Sequence, residues 1–315
     1  MKVLITDKTS PKCAEILRNA GHEVDEKFGI SKEELLKILP EYHGLIVRSA
    51  TKVTADVIAA GTRLKVIGRA GSGVDNIDVE AATRKGIVVM NTPGGNTNAV
   101  AELALMFMLG LGRHFYAAVH SLKAQKWEKK LFSGNEILGK TLGLLGYGRV
   151  SRSLAKKALA LGMQVMCYDP KIKKNLIDED GIELVADLDA VLANSDYLSV
   201  HLTKKPATVD FVNRELFAKM KKGVFLVNCS RGGIVNEADL LHALNEGQVA
   251  AAALDVYENE PPIDFQLIQH PKVICTPHIG ASTREAQENV AIQIAEQFVD
   301  MFAGKGIRNA VNATG

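Results

Sequence analysis

Two glycines, Gly146 and Gly148, are the first residues whose type and spacing indicate a binding site. They follow the short apolar run Leu142–Leu145. A helical pattern comes next, and Asp169 then ends the following apolar run, Gln164–Tyr168. A strand, a glycine turn, a helix and a second strand that ends in an acid form the layout of a dinucleotide site. Gly146 permits the tight turn, and Gly148 lets the backbone approach a pyrophosphate resting on the helix N-terminus.

The acid that ends the second strand, Asp169, discriminates between the cofactors NAD and NADP. Asp169 can accept hydrogen bonds from the ribose hydroxyls and repels a 2′-phosphate, so the sequence predicts NAD rather than NADP as the cofactor. Ser151 stands at the third position of the fingerprint, where glycine or alanine is usual. We therefore expect slightly wider spacing between the helix and the first strand.

Three polar segments follow later strands, at the edge where open α/β sheets bind ligands. Arg231 stands beside two glycines, an acidic segment containing Glu258 and Glu260 precedes Pro261, and His278 follows another strand. Oxidation of a 2-hydroxy acid needs a base, and an imidazole is suited to this role. A carboxylate would fix the tautomer of the imidazole, and a guanidinium would hold the substrate. Either glutamate fits, and His201, at the end of a strand, is the weaker rival for the histidine.

Composition excludes several classes of function. The 315 residues suggest about two domains, and the near-neutral charge of +2, without a basic stripe, argues against a nucleic-acid partner. The longest apolar stretch, Leu103–Gly112, is too short to span a membrane. No signal peptide is evident and the four cysteines lack metal-ligand spacing, so we expect a cytoplasmic protein without a metal.

Short apolar runs alternate with amphipathic segments in two series, which predicts an α/β fold of two doubly wound parallel-sheet domains. A helix from about Thr97 or Asn98 to Leu122 separates them. A second helix, with a capping-box pattern at Ser282–Glu285, carries an apolar stripe to Phe302 and is expected to return to the first domain. The predicted domains are residues 1–95 with 284–315, and residues 96–283.

The helix between the two series is apolar beyond what one buried face requires. Leu103–Leu109 is an unbroken apolar run. A helix that is apolar all round needs cover on every side. We therefore predict a homodimer whose interface includes this helix and the segment around Trp127.

The chain resembles the D-isomer-specific 2-hydroxyacid dehydrogenases over nearly its whole length, and among them the D-3-phosphoglycerate dehydrogenases of the animal type. The resemblance is densest in these segments: Val47–Thr54, Gly68–Asn76, Ala82–Gly86, Asn228–Val235, Ala253–Val256 and Pro277–Thr283. It implies a flavodoxin-like substrate domain, a Rossmann NAD-binding domain, and Arg231, Glu260 and His278 as the catalytic residues. Many phosphoglycerate dehydrogenases carry a regulatory extension, and feedback by serine through such a domain is not expected here.

The resemblance also implies the residues that bind the ligands. The cofactor would contact Ser72, Gly146, Gly148, Arg149, Val150, Asp169, Leu202, Cys229, Ser230, Asp255, Gly280 and Ala281. The substrate would contact Arg48 and the loop Gly71–Ser72–Gly73.

The reaction implied by this resemblance is NAD-dependent oxidation of a phosphorylated 2-hydroxy acid, D-3-phosphoglycerate, to 3-phosphohydroxypyruvate, the first step of phosphorylated serine biosynthesis. Arg48 favours a dianionic substrate, although it would also suit a carboxylate. A glyoxylate or hydroxypyruvate reductase on the same scaffold is the nearest alternative. An NAD-sensing corepressor-like scaffold is the alternative from another class.

Overall fold

The computed structural model describes residues 1–312. Its main chain divides into two units. Unit 1 comprises Met1–Asn96 with the described residues from Ala281 onward, and unit 2 is Thr97–Gly280. None of the helices formed by residues 1–312 has the length and apolar character needed to cross a membrane.

Unit 1 begins with five strands and four helices. In chain order these are β1 (Lys2–Ile5), α1 (Lys12–Asn19), β2 (Glu23–Glu26), α2 (Lys32–Ile38), β3 (Gly44–Val47), α3 (Ala55–Ala60), β4 (Val66–Arg69), α4 (Val79–Arg84) and β5 (Val88–Met90). The strands form one parallel sheet in the order β2-β1-β3-β4-β5. This is the flavodoxin-like order.

Unit 2 carries the larger sheet. Its elements are α5 (Thr97–Gly112), α6 (Phe115–Lys123), β6 (Thr141–Leu145), α7 (Arg149–Ala160), β7 (Gln164–Tyr168), β8 (Leu176–Ile177), β9 (Glu183–Leu184), α8 (Leu188–Asn194), β10 (Tyr197–Val200), α9 (Arg214–Lys219), β11 (Val224–Asn228), α10 (Glu237–Asn245), β12 (Val249–Leu254) and β13 (Val273–Cys275). The strand order is β13-β12-β11-β10-β6-β7-β9-β8, with β8 antiparallel and the others parallel. The order reverses at β6, as in a Rossmann sheet, and the predicted fold class is confirmed.

The last helix, α11 (Arg284–Phe302), packs against α1 and β4 of unit 1. Its buried stripe includes Val290, Ile294 and Phe298. A Cβ atom on Gly68 of β4 would lie 2.4 Å from the Phe298 ring, so the helix rests directly on the strand. The Thr283 side chain caps the helix by accepting from Ala286 N, one residue after the start of the capping box that the sequence predicts.

The prediction of one long helix that continues to about Leu122 is wrong. The helix ends at Gly112, and His114 adopts a left-handed backbone with φ of 50° before α6 begins. Asn135 N donates to the Gly112 carbonyl at 2.7 Å, and a Cβ on Gly112 would lie 2.4 Å from the Tyr197 hydroxyl. Contacts with residues distant in sequence therefore end the helix where the local apolar pattern continues.

Candidate active site

The two fingerprint glycines differ: Gly146 occupies a position that excludes a side chain, and Gly148 borders open space. Gly146 follows β6 with φ of +105°, and a Cβ there would lie 2.7 Å from the His201 carbonyl oxygen. Among residues 1–312, nothing lies within 4 Å of a Cβ placed on Gly148, and no side chain caps the start of α7 at this residue. The open space and the free N–H groups of the helix suit a pyrophosphate.

Asp169 is held in place at the end of β7. Its carboxylate accepts Tyr147 N at 3.0 Å and Lys171 N at 3.0 Å, so the fingerprint loop itself orients the acid. A carboxylate has lone pairs left for two further donors, such as ribose hydroxyls. Ser151 is fully buried, and its hydroxyl donates to the Gly148 carbonyl at 2.9 Å, so its polar atom is satisfied within the first turn of α7.

The predicted acid and base lie in contact. His278 Nδ1 is 2.7 Å from Glu260 Oε2, and the other carboxylate oxygen accepts Tyr257 N at 3.2 Å. Burial raises the pKa of Glu260, but the hydrogen bond and charge of His278 outweigh it, so the pKa lies below its usual value and the carboxyl is ionised at neutral pH. The contact with Glu260 occupies Nδ1 and leaves Nε2 as the ring nitrogen for a substrate. Glu258, the alternative acid, does not make this contact with His278.

The loop that carries the histidine is strained and is held by a buried acid. His278 has a left-handed backbone with φ of 51°. Asp255, 1% exposed, accepts Thr276 Oγ1 at 2.6 Å and the backbone N–H groups of Ile279 and Gly280, each at 2.7 Å. Asp255 therefore fixes the loop, and its contact with the cofactor stays a prediction.

Asn228 positions the arginine loop, a role that the sequence reasoning did not assign. It is buried at the end of β11, where its side-chain oxygen accepts both the N–H and the hydroxyl of Ser230, at 3.0 and 2.8 Å. Its side-chain amide donates to the Arg231 carbonyl at 3.1 Å. The sequence signal that could have indicated this role is a polar residue at the end of an otherwise apolar strand.

The arginine loop lies directly on the acid loop. A Cβ on Gly232 would lie 1.6 Å from the Tyr257 carbonyl oxygen, so only glycine fits at this approach. The charge of Arg231 also helps to lower the pKa of Glu260. The loops after β11, β12 and β13 thus bring Arg231, Glu260 and His278 to one edge of the sheet.

The rival histidine is poorly suited to be the base. Burial lowers the pKa of His201 to about 4, and its Nε2 lies 2.9 Å from Ser199 Oγ.

Two of the predicted cofactor residues, Leu202 and Cys229, are buried beside the fingerprint edge, and burial raises the pKa of the Cys229 thiol. Arg149 is exposed in the first turn of α7 and Val150 is half-buried beside it.

The predicted substrate residues belong to unit 1. Arg48 follows β3, its guanidinium donates to the Lys8 carbonyl at 3.3 Å, and its buried Nε has no partner among the described residues. Burial lowers the pKa of Arg48. Ser72 donates to Asn96 at 2.8 Å, in the loop that begins at Gly71, where φ is +152°. Ala281 also belongs to unit 1.

Comparison with known proteins identifies the family. The sequence profile of the D-isomer specific 2-hydroxyacid dehydrogenase, NAD binding domain, matches residues 105–280. The chain belongs to this family. NAD is therefore its cofactor, and the predicted resemblance is confirmed.

Within residues 1–312, no group of three or more His, Cys, Asp or Glu side chains is placed to hold a metal ion.

The chain is similar over nearly its whole length to proteins named D-3-phosphoglycerate dehydrogenase. The human protein is 50% identical over 312 residues, which are 99% of this chain and 58% of the relative. That of Archaeoglobus fulgidus is 50% identical over 313 residues, 99% of this chain and 59% of the relative. The chain thus spans less than two thirds of the length of these curated relatives. The NAD⁺-bound 3-phosphoglycerate dehydrogenase of Entamoeba histolytica has a TM-score of 0.83 and 30% identity, with 99% of each chain covered.

Proposed function

We propose that the protein is an NAD-dependent D-3-phosphoglycerate dehydrogenase that oxidises D-3-phosphoglycerate to 3-phosphohydroxypyruvate, the entry step of phosphorylated serine biosynthesis. The contact of 2.7 Å between His278 and Glu260, at the sheet edge that also carries the fingerprint, is the observation that carries the proposal. Similarity to the named dehydrogenases over 99% of the chain supports the choice of substrate.

Residues of unit 2 would hold the cofactor. The first turn of α7, after Gly148, suits the pyrophosphate, and Asp169 suits the adenosine ribose. When bound, NAD accepts the hydride from the carbon that is oxidised. The protein must supply the proton transfer, the orientation of the hydroxy acid and the electrostatic environment.

His278 is the general base of the proposed reaction. Its Nε2 takes the proton of the substrate hydroxyl, and the ionised Glu260 at Nδ1 stabilises the imidazolium that forms. Arg231 offers a planar pair of N–H donors to the carboxylate or the developing ketone oxygen. In the reverse direction the same imidazolium returns the proton to the oxygen.

Arg48 is proposed to bind the anionic end of the substrate. Its partly buried guanidinium carries an Nε without a partner among the described residues, and a buried donor of this kind gains most from a charged acceptor. We propose that unit 1, with Arg48 and the Gly71–Ser72–Gly73 loop, is the substrate-binding domain and that unit 2 is the NAD-binding domain.

A homodimer in the cytoplasm is the proposed state of the protein. Large apolar side chains are exposed along α5, α6 and the segment after them: Met106, Leu109, Phe115, Tyr116, Leu122, Trp127, Leu131 and Leu138. An apolar surface of this extent is typical of an interface. The sequence predicts that a second copy of the chain covers this apolar surface.

Steady-state assays with NAD on D-3-phosphoglycerate, D-glycerate, D-lactate and 2-hydroxyglutarate, and on glyoxylate and hydroxypyruvate in reverse, test the function. We expect the highest kcat/KM with D-3-phosphoglycerate. His278→Ala should lower kcat by about 10²–10⁴ and leave NAD binding nearly intact. Higher kcat/KM with glyoxylate or hydroxypyruvate would favour the reductase, and NAD binding without turnover on any substrate would favour the corepressor-like scaffold.

A further inference from the structure

A four-residue segment after α11 is joined to the edge of the unit 1 sheet. Residues Asn309–Asn312, which we name the strap, pair antiparallel with β5 through the bridge between Ala310 and Met90. Val311 N donates to the Val89 carbonyl at 2.8 Å, and Val89 N donates to Asn312 Oδ1 at 2.8 Å. The strap is thus anchored to β5 by backbone and side-chain bonds.

A buried glutamine connects the strap to the end of β5. Gln297, on α11, is 3% exposed and takes no part in the proposed chemistry. Its side-chain oxygen accepts Asn309 Nδ2 at 3.3 Å, and its side-chain nitrogen donates to the Asn91 carbonyl at 3.2 Å. Asn91 N in turn donates to the Asn309 carbonyl at 3.3 Å. These three residues form a closed polar ring inside unit 1.

The ring extends to the predicted substrate loop. Asn91 Nδ2 donates to the Ser72 carbonyl at 2.6 Å. Thr92 N donates to the Gly71 carbonyl at 3.0 Å. The backbone of the Gly71–Ser72–Gly73 loop is therefore held by residues 91 and 92, and residue 91 is fixed by Gln297 and the strap.

We infer that Gln297 and the strap set the position of the Gly71–Ser72–Gly73 loop, with Gln297 as a positioning residue for substrate binding. A buried amide that satisfies a donor and an acceptor on two different segments fixes their separation, since the loss of either bond leaves a buried polar group without a partner. The link to substrate binding rests on the proposed function. The mechanical link between strap and loop does not.

Two variants break the polar ring, and two measurements on them, hydrogen exchange and kinetics, separate the mechanical link from the role in binding. Gln297→Met keeps the length of the side chain and removes both polar atoms. Asn309→Gly removes only the amide that reaches Gln297 and suits the left-handed backbone of that residue, where φ is 54°. Glu296→Met, at the exposed neighbouring position of α11, is the matched control.

Hydrogen–deuterium exchange of the peptides that contain Gly71–Gly73 and Asn91–Thr92 tests the mechanical link without an activity assay. Each of the two variants should speed exchange there by about two- to tenfold, as expected for the loss of one net hydrogen bond, and the control should not. Unchanged exchange in Asn309→Gly and in Gln297→Met would overturn the inference.

Kinetics then test the role in binding. KM for D-3-phosphoglycerate should rise by about two- to tenfold in both variants, with kcat unchanged. A merely structural Gln297 would lower stability without this separation of KM from kcat. Faster exchange with an unchanged KM would overturn the binding role of the loop, whereas an inactive parent protein would refute the proposed function and leave the exchange result intact.

Discussion

Replacement of Gly232 by alanine tests whether contact between the arginine and acid loops is required for activity. The added Cβ would lie 1.6 Å from the Tyr257 carbonyl oxygen and 2.7 Å from Glu258 N. The loops would have to separate by roughly 2 Å to reach an ordinary contact distance. Arg231 is next to the altered residue, and Glu260 lies on the displaced loop. A misplacement of about 1 Å is enough to cost about 10²-fold in rate, so we expect kcat/KM for D-3-phosphoglycerate to fall by at least that factor.

The assay is NADH formation under steady-state conditions, together with the Kd for NAD and the Tm. Overpacking should lower stability by about 1–3 kcal/mol, which leaves a folded protein to be measured. The Kd for NAD should change much less than kcat/KM, because the fingerprint lies on β6 and α7. Gly110→Ala is the control, since a Cβ there meets only Ile274 Cδ1, at 3.7 Å. An unchanged kcat/KM in Gly232→Ala would refute the argument that this close approach positions the catalytic groups.

Five further results are expected. Glu260→Gln should retain activity at high pH and shift the acidic limb of the pH–rate profile, because a neutral amide replaces the carboxylate that contacts His278 Nδ1; an unmoved limb would exclude the pairing. In the parent protein, the depressed pKa of Glu260 adds stability that is present above the ordinary carboxyl range and is lost as pH falls through the lowered value, as acid unfolding followed by circular dichroism should show. Asp169→Ala should weaken NAD binding and relax the discrimination against NADP in titrations of both, and a parent protein that binds both equally would argue against the ribose contact. Arg48→Ala should raise KM for D-3-phosphoglycerate far more than KM for D-glycerate; equal losses would indicate that it binds the shared carboxylate. Light scattering at micromolar concentration should give a dimer mass that Trp127→Ser reduces, and a monomeric parent would contradict the interface.

The dinucleotide fingerprint could be predicted because all its determinants are local. Glycines at fixed offsets, an apolar run on each side and a terminal acid specify strand, turn and helix without information from the rest of the chain. The strand Gln164–Tyr168 has the bounds that its apolar run predicts. The order Arg231, Glu260 and His278 along the chain likewise predicts one site, because successive parallel strands end at the same edge.

Features that depend on distant contacts could not be predicted in this way. The break after Gly112 is caused by Asn135 and Tyr197, neither of which is near it in sequence. Gln297 looks like a solvent-exposed residue of an amphipathic helix until Asn91 and Asn309 are placed beside it. The choice of Glu260 over Glu258 came from the resemblance alone, because spacing could not separate two acids in one loop.

The left-handed backbone at His278 means that this protein is less stable than its own fold would allow. A residue other than glycine in this conformation costs of the order of 1–3 kcal/mol, and the bonds of Asp255 to the same loop offset that cost. Substitutions selected only for heat resistance should therefore accumulate at this loop and remove activity as they do so. The residue proposed as the general base is, for the same geometric reason, a place where stability and turnover should oppose each other.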